Sequence, residues 1–237
     1  MRPKEIYDKL EPVFRKSYQT PIVIEVNGKE LLISNSSFMC FAHDVNTGEV
    51  IWTMEYGFDS TVSQPLYWNG LVFVNSGWIF EDNKPYFTRE YAIDPTGKGD
   101  VTKTHVKWMY QDEFPQIPTP VIVDGKMYFV HDRGLVSCID AATAKLIWKQ
   151  ELKGNFNSSP ILAAGNLYFF IQQRNEGVPC CNIFGNTIGI GFCGTHRASG
   201  LFLERITLNA AQHEKSKKQK DHRKHQGGEH KQLDMGF

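Results

Sequence analysis

The chain has 237 residues, enough for a domain with a sizeable apolar core. Its 26 Lys and Arg residues balance its 26 Asp and Glu residues, so composition gives no reason to expect general nucleic-acid binding. With 41% hydrophobic and 13% aromatic residues the sequence is globular rather than disordered, and no apolar run approaches the ~18 residues that a membrane span requires.

Residues 1–19 form a leader ahead of the predicted strands. Apolar side chains recur in it near a 3.6-residue period, at Ile6, Leu10, Val13 and Phe14. This period favours a short helix, which Pro12 interrupts. The first eight residues include no apolar segment of the kind that a signal peptide contains, so no signal peptide is predicted.

The predicted strands begin at Pro21 with a hairpin. Its two predicted strands are alternating or apolar runs, Ile22–Val26 and Leu31–Ser34, and they are joined by Asn27-Gly28. Asn-Gly between apolar runs is a strong hairpin signal, because a type I′ turn needs positive φ at both central residues. This hairpin is interpreted as the remaining part of a first structural repeat.

An eleven-residue motif then follows and recurs. Ala42–Trp52 reads Ala-His-Asp-Val-Asn-Thr-Gly-Glu-Val-Ile-Trp, and Cys138–Trp148 has the same spacing from Asp to Trp. A stretched copy begins at Ala92 and reaches its tryptophan at Trp108. The three tryptophans lie 56 and 40 residues apart, a period typical of propellers or solenoids.

Each motif copy is followed by a proline and then by a second hairpin. The three segments are Pro65–Gly70, Pro120–Gly125 and Pro160–Gly165, and the strands predicted after them are Leu71–Val74, Met127–Val130 and Leu167–Phe170. Short strands joined by tight turns favour a propeller. The predicted fold class is therefore all-β, with propeller blades of four-stranded antiparallel sheets. About three blades are expected, counting the partial first one, so the ring is incomplete.

The repeat fails in the last part of the chain. At the 40-residue period, the counterparts of Asp140, Trp148 and Pro160 are Cys180, Ile188 and Gly200. The sequence thus divides into a leader (1–19), a repeat region (20–170) and a non-repeat tail (171–237). We expect the tail to be largely disordered, or to come from a truncated or frame-shifted coding sequence. Within the repeat region, the insertions Asn75–Pro85 and Gly97–His105 are predicted loops, where propellers usually carry function.

The pattern Ala-x-Asp-x-x-Thr-Gly-x-x-x-Trp resembles the tryptophan-docking repeat of the quinoprotein, or pyrroloquinoline-quinone-like, β-propellers. That family includes quinone-dependent alcohol dehydrogenases and the propeller lipoprotein of the outer-membrane β-barrel assembly machine. The resemblance covers about residues 20–170, roughly two thirds of the chain. The positions that carry it are Ala42, Asp44, Thr47, Gly48, Trp52, Ala92, Asp94, Thr96, Gly97, Trp108, Asp140, Thr143 and Trp148.

In the family, the motif tryptophan wedges between its own motif alanine and the Thr-Gly peptide of the next blade. The resemblance thus implies that Trp52 lies against Ala42 and Thr96-Gly97. It implies equally that Trp108 lies against Ala92 and Thr143-Ala144. The third copy departs twice from the pattern, because Cys138 replaces Ala and Ala144 replaces Gly. The alternative for each tryptophan is an ordinary buried aromatic, and neither role is catalytic.

Two motifs in the tail invite an enzymatic interpretation. Quinone-dependent alcohol dehydrogenases carry a vicinal disulfide against the cofactor, and Cys180-Cys181 is such a pair, but without that family's calcium-site or catalytic-aspartate context. Gly189–Gly194 matches G-x-G-x-x-G, with Glu214 20 residues further on. A dinucleotide site needs a full βαβ unit around that motif, and the remaining sequence is mostly polar. We favour neither interpretation.

Metal and carboxylate sites are disfavoured as well. The tail holds four histidines that have no fixed spacing on a predicted element, at His213, His222, His225 and His230. The motif aspartates Asp44, Asp94 and Asp140 recur in every copy, which indicates Asx turns in which the carboxylate accepts backbone hydrogen bonds. No catalytic, cofactor-binding or metal-binding residue is predicted.

Two functions remain open. The first is a fragment of a non-enzymatic propeller module that acts as a binding or scaffold domain for a protein or polysaccharide partner without a cofactor. The alternative is a fragment of a quinone-dependent alcohol dehydrogenase, with pyrroloquinoline quinone as cofactor. The resemblance implies a periplasmic or extracytoplasmic location. Self-association is expected if the ring is incomplete.

Overall fold

The computed structural model is built almost entirely from strands. The residues that the structure describes are 17–57, 59–60, 62–78, 88–152, 154–163, 165–170, 178–184, 187–193 and 204–207, together with Asp8 and Pro12. For 59–60, 78 and the three segments beyond 170, only the backbone is described. The predicted leader helix and the histidine-rich tail thus lie largely outside the described residues.

Nineteen strands are assigned in the described residues. In chain order they are β1 (Ile22–Val26), β2 (Lys29–Asn35), β3 (Met39–Asp44), β4 (Val50–Glu55), β5 (Asp59–Ser60), β6 (Leu66–Trp68), β7 (Leu71–Trp78), β8 (Arg89–Ile93), β9 (Gly99–Asp100), β10 (Val106–Tyr110), β11 (Val121–Val123), β12 (Lys126–Val130), β13 (Leu135–Asp140), β14 (Leu146–Glu151), β15 (Ile161–Ala163), β16 (Asn166–Phe170), β17 (Val178–Phe184), β18 (Thr187–Cys193) and β19 (Glu204–Thr207).

These strands form four sheets, and consecutive strands are mostly antiparallel neighbours. The first sheet has the order β1-β2-β3-β4-β9, and the second has β10-β8-β7-β5 with β6 also paired to β7. The third sheet is β11-β12-β13-β14, and the fourth is β15-β16-β17-β18-β19. The all-β prediction is confirmed. The sequence predicted about three blades, counting a partial first one, and the described residues form four sheets.

Tight turns produce this order because they leave each strand beside the one before it. Asn27, Asn69 and Asp124 have φ of 51°, 50° and 49°, and the glycine after each has φ between 74° and 77°. Positive φ at both positions is what a type I′ turn requires, so the Asn-Gly and Asp-Gly hairpin predictions are confirmed.

The two insertions are shorter than predicted. The segment Asn75–Pro85 begins inside a strand, since β7 continues to Trp78. The segment Gly97–His105 contains β9, which pairs in parallel with β4 at Trp52↔Gly99 and Thr53↔Asp100. This second loop therefore folds back onto the edge of the first sheet instead of projecting from the scaffold.

The apolar core lies between successive sheets. One buried cluster joins the first and second sheets through Trp52 and Val72, and another joins the second and third through Phe73 and Phe129. A third cluster, which includes Phe169, joins the third and fourth sheets. Among the described side chains, no cluster joins the fourth sheet back to the first.

The fourth sheet continues past the predicted end of the repeat region at residue 170, because β17, β18 and β19 lie in the segment assigned to the tail. Their periodic aromatic and turn signals are weak, so sequence periodicity did not identify them. The boundaries 1–19, 20–170 and 171–237 themselves remain a prediction.

Candidate functional site

The motif aspartates organise one turn in each of the first three sheets. The Oδ1 atom of Asp44 accepts hydrogen bonds from the backbone N–H groups of Asn46 and Thr47, at 2.9 and 3.0 Å. The Gly48 N–H donates to the Asp44 carbonyl at 2.8 Å. These bonds lower the pKa of Asp44, with the Thr47 N–H as the largest cause.

Asp140 and Asp94 repeat this arrangement. Asp140 Oδ1 accepts from the Thr143 N–H at 2.9 Å and from the Thr143 hydroxyl at 2.8 Å. The Thr96 hydroxyl donates to Asp94 at 2.6 Å, and Lys107 pairs with the same carboxylate at 3.0 Å. These contacts lower the pKa of Asp94 to about 2, and the hydrogen bond from the Thr96 hydroxyl is the largest cause. All three carboxylates thus serve the turns that hold them.

Trp52 lies at the junction of the first and second sheets. It is fully buried, stands opposite Ala42 in the β3–β4 register, and donates from Nε1 to the Pro95 carbonyl at 3.1 Å. Pro95 belongs to the Asp94–Gly97 turn of the next sheet. The indole therefore bridges its own alanine and the neighbouring motif turn.

Trp108 has the same relation to the third sheet. It is opposite Ala92 and donates from Nε1 to the Ala141 carbonyl at 3.3 Å. It packs in the cluster that contains Ala144. Trp148, in the third copy, is opposite the fully buried Cys138 and is itself partly buried, packed against the cluster that joins the third and fourth sheets.

A cleft of about 460 Å³ opens beside the first of these junctions. We name it the hairpin cleft; it is lined by Val26, Asn27, Lys29, Leu31, Val50, Ile51, Pro95, Thr96, Gly97 and Lys98. Its apolar floor comes from strands of the first sheet, and the second sheet contributes the motif turn. Lys29 and Lys98 are exposed at its rim. The cleft can accept an apolar side chain next to an anionic group.

The second sheet also contains a buried carboxyl group. Glu90 is 2% exposed, and its Oε2 has no hydrogen-bond partner among the described residues. It stands between Asn75 and Tyr110 in the strand register. Burial raises the pKa of Glu90 well above its usual range, which favours the protonated form of the carboxyl group.

Sequence reasoning missed both Glu90 and the hairpin cleft. Glu90 occurs in Arg-Glu-Tyr-Ala-Ile, where a charged residue ahead of an apolar run ordinarily marks a strand end at the surface. The cleft joins residues more than 60 positions apart, and no local pattern reports such a pairing.

The enzymatic motifs of the tail fall in the fourth sheet. Cys180 and Cys181 are consecutive residues of β17, paired in register with Gly191 and Ile190. Consecutive residues of a regular strand point to opposite faces, whereas a disulfide needs its Cβ atoms about 3.5–4.5 Å apart. This backbone does not fit a vicinal disulfide that contacts a quinone. The segment Gly189–Cys193 belongs to antiparallel β18, which is not the strand-to-helix turn of a dinucleotide site.

The described residues contain neither a candidate metal site nor a candidate membrane-spanning helix. No group of three or more His, Cys, Asp or Glu side chains with an arrangement suited to a metal ion was found in that part of the chain. Nor does it contain a helix with the length and apolarity to cross a membrane. The four tail histidines, which the sequence did not favour as metal ligands, lie outside the described residues, at His213, His222, His225 and His230.

Sheets of four or five strands packed face to face, with motif tryptophans at their junctions and a repeated Asx turn, define a β-propeller of the quinoprotein-like class. The family model described as outer membrane protein assembly factor BamB matches residues 42–178. This match covers more than half of the chain, and the chain belongs to that family.

Among curated proteins, the chain is similar to the tetrathionate hydrolase of Acidianus ambivalens, with 22% identity over 143 residues. It is also similar to the polyvinylalcohol dehydrogenase of Sphingopyxis sp. (strain 113P3), with 25% identity over 89 residues. These matches cover 52% and 38% of this chain, but only 27% and 13% of the two relatives. The chain thus spans a minor part of either protein.

Two solved structures are similar in fold to this chain. BamB from Moraxella catarrhalis gives a TM-score of 0.45 at 16% identity, with 78% of this chain and 60% of that chain covered. The quinohemoprotein alcohol dehydrogenase from Comamonas testosteroni gives 0.49 at 10% identity, with 79% and 37% covered.

Proposed function

We propose that the chain is a non-enzymatic propeller segment that binds a protein partner, and that the hairpin cleft takes an acidic, partly apolar segment of that partner. The observation that carries this proposal is the combination of an apolar floor with two exposed lysines, Lys29 and Lys98, beside a rigid inter-sheet junction. A polysaccharide partner has no comparable apolar side chain to fill this floor. We propose an extracytoplasmic location on the basis of the family.

Rigidity supports a binding role for this cleft. One wall is the β1–β2 hairpin, and the other is the Asp94–Gly97 turn, to which the Trp52 indole is bonded. A preformed cleft loses little conformational freedom when a partner binds, so more of the contact energy appears as affinity.

The test uses labelled peptides of alternating acidic and leucine residues, with fluorescence anisotropy as the readout. We expect saturable binding that Lys29→Glu with Lys98→Glu weakens at least about tenfold, because the attraction to the acidic groups becomes repulsion. A matched control is Lys126→Glu with Lys145→Glu, which changes two exposed lysines in the equivalent turns of the third sheet. Equal loss in both variants, or equal binding of a basic peptide, would contradict a specific cleft.

The alternative is a quinone-dependent alcohol dehydrogenase fragment, which the local match to the polyvinylalcohol dehydrogenase favours. When bound, pyrroloquinoline quinone would supply the two-electron oxidation of an alcohol. An experiment distinguishes the two functions: the protein is mixed with the quinone and calcium and then assayed for quinone absorbance and for dye-linked alcohol oxidation. We expect neither signal. A stoichiometric quinone complex that disappears in Cys180→Ser would establish the alternative.

A further inference from the structure

The outer edge of the first sheet shows how an extended segment adds a strand to a sheet of this chain. Strand β9 lies in parallel beside β4, with Asp100 opposite Thr53. The Thr53 carbonyl accepts a hydrogen bond from the Val101 N–H at 2.9 Å, and the Glu55 N–H donates to the Thr102 hydroxyl at 2.9 Å. The outward backbone groups of β4 are thus used by a segment that comes from the second sheet.

Strand β14, the last strand of the third sheet, has the same geometry as β4. Each strand has its motif tryptophan opposite the motif alanine or cysteine, with a register irregularity directly beside that pair. The Leu152 N–H donates to the carbonyl of the residue before β13, so the alternation of a strand turns the backbone groups of Lys149 and Glu151 away from β13. Counted from the tryptophan, these two residues correspond to Thr53 and Glu55.

No strand pairs with the outer edge of β14 in the part of the chain that the structure describes. The length of a connection explains this difference from β4. Strand β9 belongs to the link between β8 and β10, residues 94–105, which is long enough to fold back onto the preceding sheet. In the fourth sheet the corresponding link joins β17 to β18 and consists of residues 185 and 186 alone. Two residues suffice for a tight turn and cannot supply a strand for β14.

Apolar side chains beside this edge are exposed. Ile147 is 45% exposed, whereas Ile51 at the corresponding position of β4 is partly buried against the cluster between the first and second sheets. Ile51 also lines the hairpin cleft with Gly97 and Lys98, which lead into β9. Leu146, next to Ile147, is 36% exposed. A segment added to β14 would therefore cover apolar surface as well as bond to the backbone.

Charge favours an acidic residue in such a segment. Lys145 and Lys149 are exposed, and the residue opposite Thr53, the counterpart of Lys149, is Asp100. Lys149 Nζ lies 3.2 Å from Asp112 Oδ2, but the lysine side chain keeps 39% of its surface exposed. A second carboxylate can therefore reach the ammonium group from the open side of the edge.

We propose that β14 is a docking edge at which an extended segment of a partner protein adds a parallel strand to the third sheet, as β9 does on β4. The segment carries an acidic residue beside Lys149 and then a β-branched apolar residue whose N–H donates to the Lys149 carbonyl. A serine or threonine follows, and its hydroxyl accepts from the Glu151 N–H. These are the residue types of Asp100, Val101 and Thr102. The edge is separate from the hairpin cleft, and the inference goes beyond the proposed function without depending on it.

The probe is a fluorescein-labelled peptide with the sequence of residues 97–104, in which serine replaces both lysines. Fluorescence anisotropy with the full-length protein measures its binding. N-methylation of the peptide's valine removes the N–H that is directed at β14, whereas N-methylation of its aspartate removes an N–H directed away from it. We expect the first change to weaken binding at least about tenfold and the second by no more than about threefold, because main-chain hydrogen bonds supply the affinity of an added strand.

Two protein variants test the position of the site. Lys149→Glu should weaken binding at least about fivefold, because the attraction to the peptide's aspartate becomes repulsion. Met109→Glu is the matched control and should leave binding unchanged. Met109 is 47% exposed and has the position on β10 that Lys149 has on β14. Lys29→Glu with Lys98→Glu, the variant of the hairpin cleft, should also leave it unchanged. Circular dichroism verifies that each variant keeps its strand content.

Several results would overturn the proposal. Equal weakening by the two N-methyl groups would exclude an added strand, since only one of them faces β14. Equal weakening by Lys149→Glu and Met109→Glu, or a loss confined to the cleft variant, would exclude β14 as the site. Binding that is absent, or that about 2 mM unlabelled peptide fails to displace, would contradict a docking edge altogether. Peptide binding that decreases as the protein concentration rises would show that a second copy of the chain occupies the edge.

Discussion

At the residue scale, Ala144 occupies a backbone conformation that suits glycine. Its φ is 59°, and Gly48 at the corresponding place of the first motif copy has φ of 75°. A left-handed conformation costs a non-glycine residue roughly 1–2 kcal/mol. The replacement of Gly by Ala in the third copy therefore places strain in that turn.

We expect Ala144→Gly to increase the free energy of unfolding by about 1 kcal/mol, as the relief of strain exceeds the loss of one half-buried methyl group. Urea unfolding monitored by circular dichroism measures the change. Ala142→Gly is the control, since Ala142 is an exposed residue of the same turn and has no positive φ. It should destabilise by about 0.4–1 kcal/mol through the added freedom of the unfolded chain. The same sign in both variants would contradict strain at Ala144.

Glu90 provides a pH-dependent prediction. Its folded-state pKa is raised above the ordinary 4.5, so the native state retains a proton that the unfolded chain releases. The free energy of unfolding should therefore fall as pH rises from about 4.5 towards the raised pKa. Glu90→Gln removes this titration.

The stability of Glu90→Gln relative to the unaltered protein should increase with pH, and urea unfolding at several pH values between 4.5 and 9 measures it. Glu151→Gln serves as control because Glu151 is exposed. A difference that stays constant across this range would show that Glu90 does not hold its proton.

At the element scale, the first and second sheets each contact the motif turn of the next sheet through a tryptophan. Trp52 is the clearest case, since it is fully buried and bonded to Pro95 of the following turn. Trp148 holds the same position in the third sheet but is only partly buried. The two residues form a matched pair for measuring the inter-sheet contact.

We expect Trp52→Ala to destabilise the chain by about 3–5 kcal/mol, because it removes a large buried side chain and leaves a cavity. Trp148→Ala should cost clearly less. Both changes are measured by urea unfolding monitored by circular dichroism. A cost below about half a kilocalorie per mole for Trp52→Ala would contradict its place in the core.

Much of this element level was predictable, and particular residues show why. Asn27-Gly28 and Asp124-Gly125 specify their turns locally, because few residues adopt positive φ twice in succession. The β4–β9 pairing was not predictable, since it joins Trp52 to Gly99 across a loop of no regular pattern. The burial of Glu90 depends likewise on what the second sheet packs against. Strands β17 to β19 lack the motif that identified the earlier repeats.

At the scale of the whole molecule, three inter-sheet interfaces are formed by four sheets. A closed propeller ring has as many interfaces as blades. Within the described side chains, the fourth sheet has no apolar cluster with the first. Ile161 and Leu162 of β15 are 52% and 45% exposed. Both residues lie on β15, the edge strand of the fourth sheet, and exposed apolar side chains on an edge strand favour association.

We therefore predict that the isolated chain self-associates or aggregates. Size-exclusion chromatography with light scattering across a range of concentrations measures this. Ile161→Ser with Leu162→Ser should reduce association, and Val45→Ser with Val62→Ser, which alters exposed valines elsewhere, should not. A stable monomer at all concentrations would contradict the prediction. Limited proteolysis of the same samples tests the predicted boundary at residue 170. Cleavage there before any other site supports the boundary, whereas protection up to about residue 207 contradicts it.

The pairing of β9 with β4 has a consequence for the order in which the chain folds. The Val101 N–H donates to the Thr53 carbonyl, and the Glu55 N–H donates to the Thr102 hydroxyl at 2.9 Å. The edge of the first sheet is thus completed by residues more than 40 positions further along. During synthesis, that edge stays open until the ribosome has released the chain to about Thr102. The first two sheets should consequently form a single cooperative folding unit, with the nascent first sheet exposed to misassociation until then.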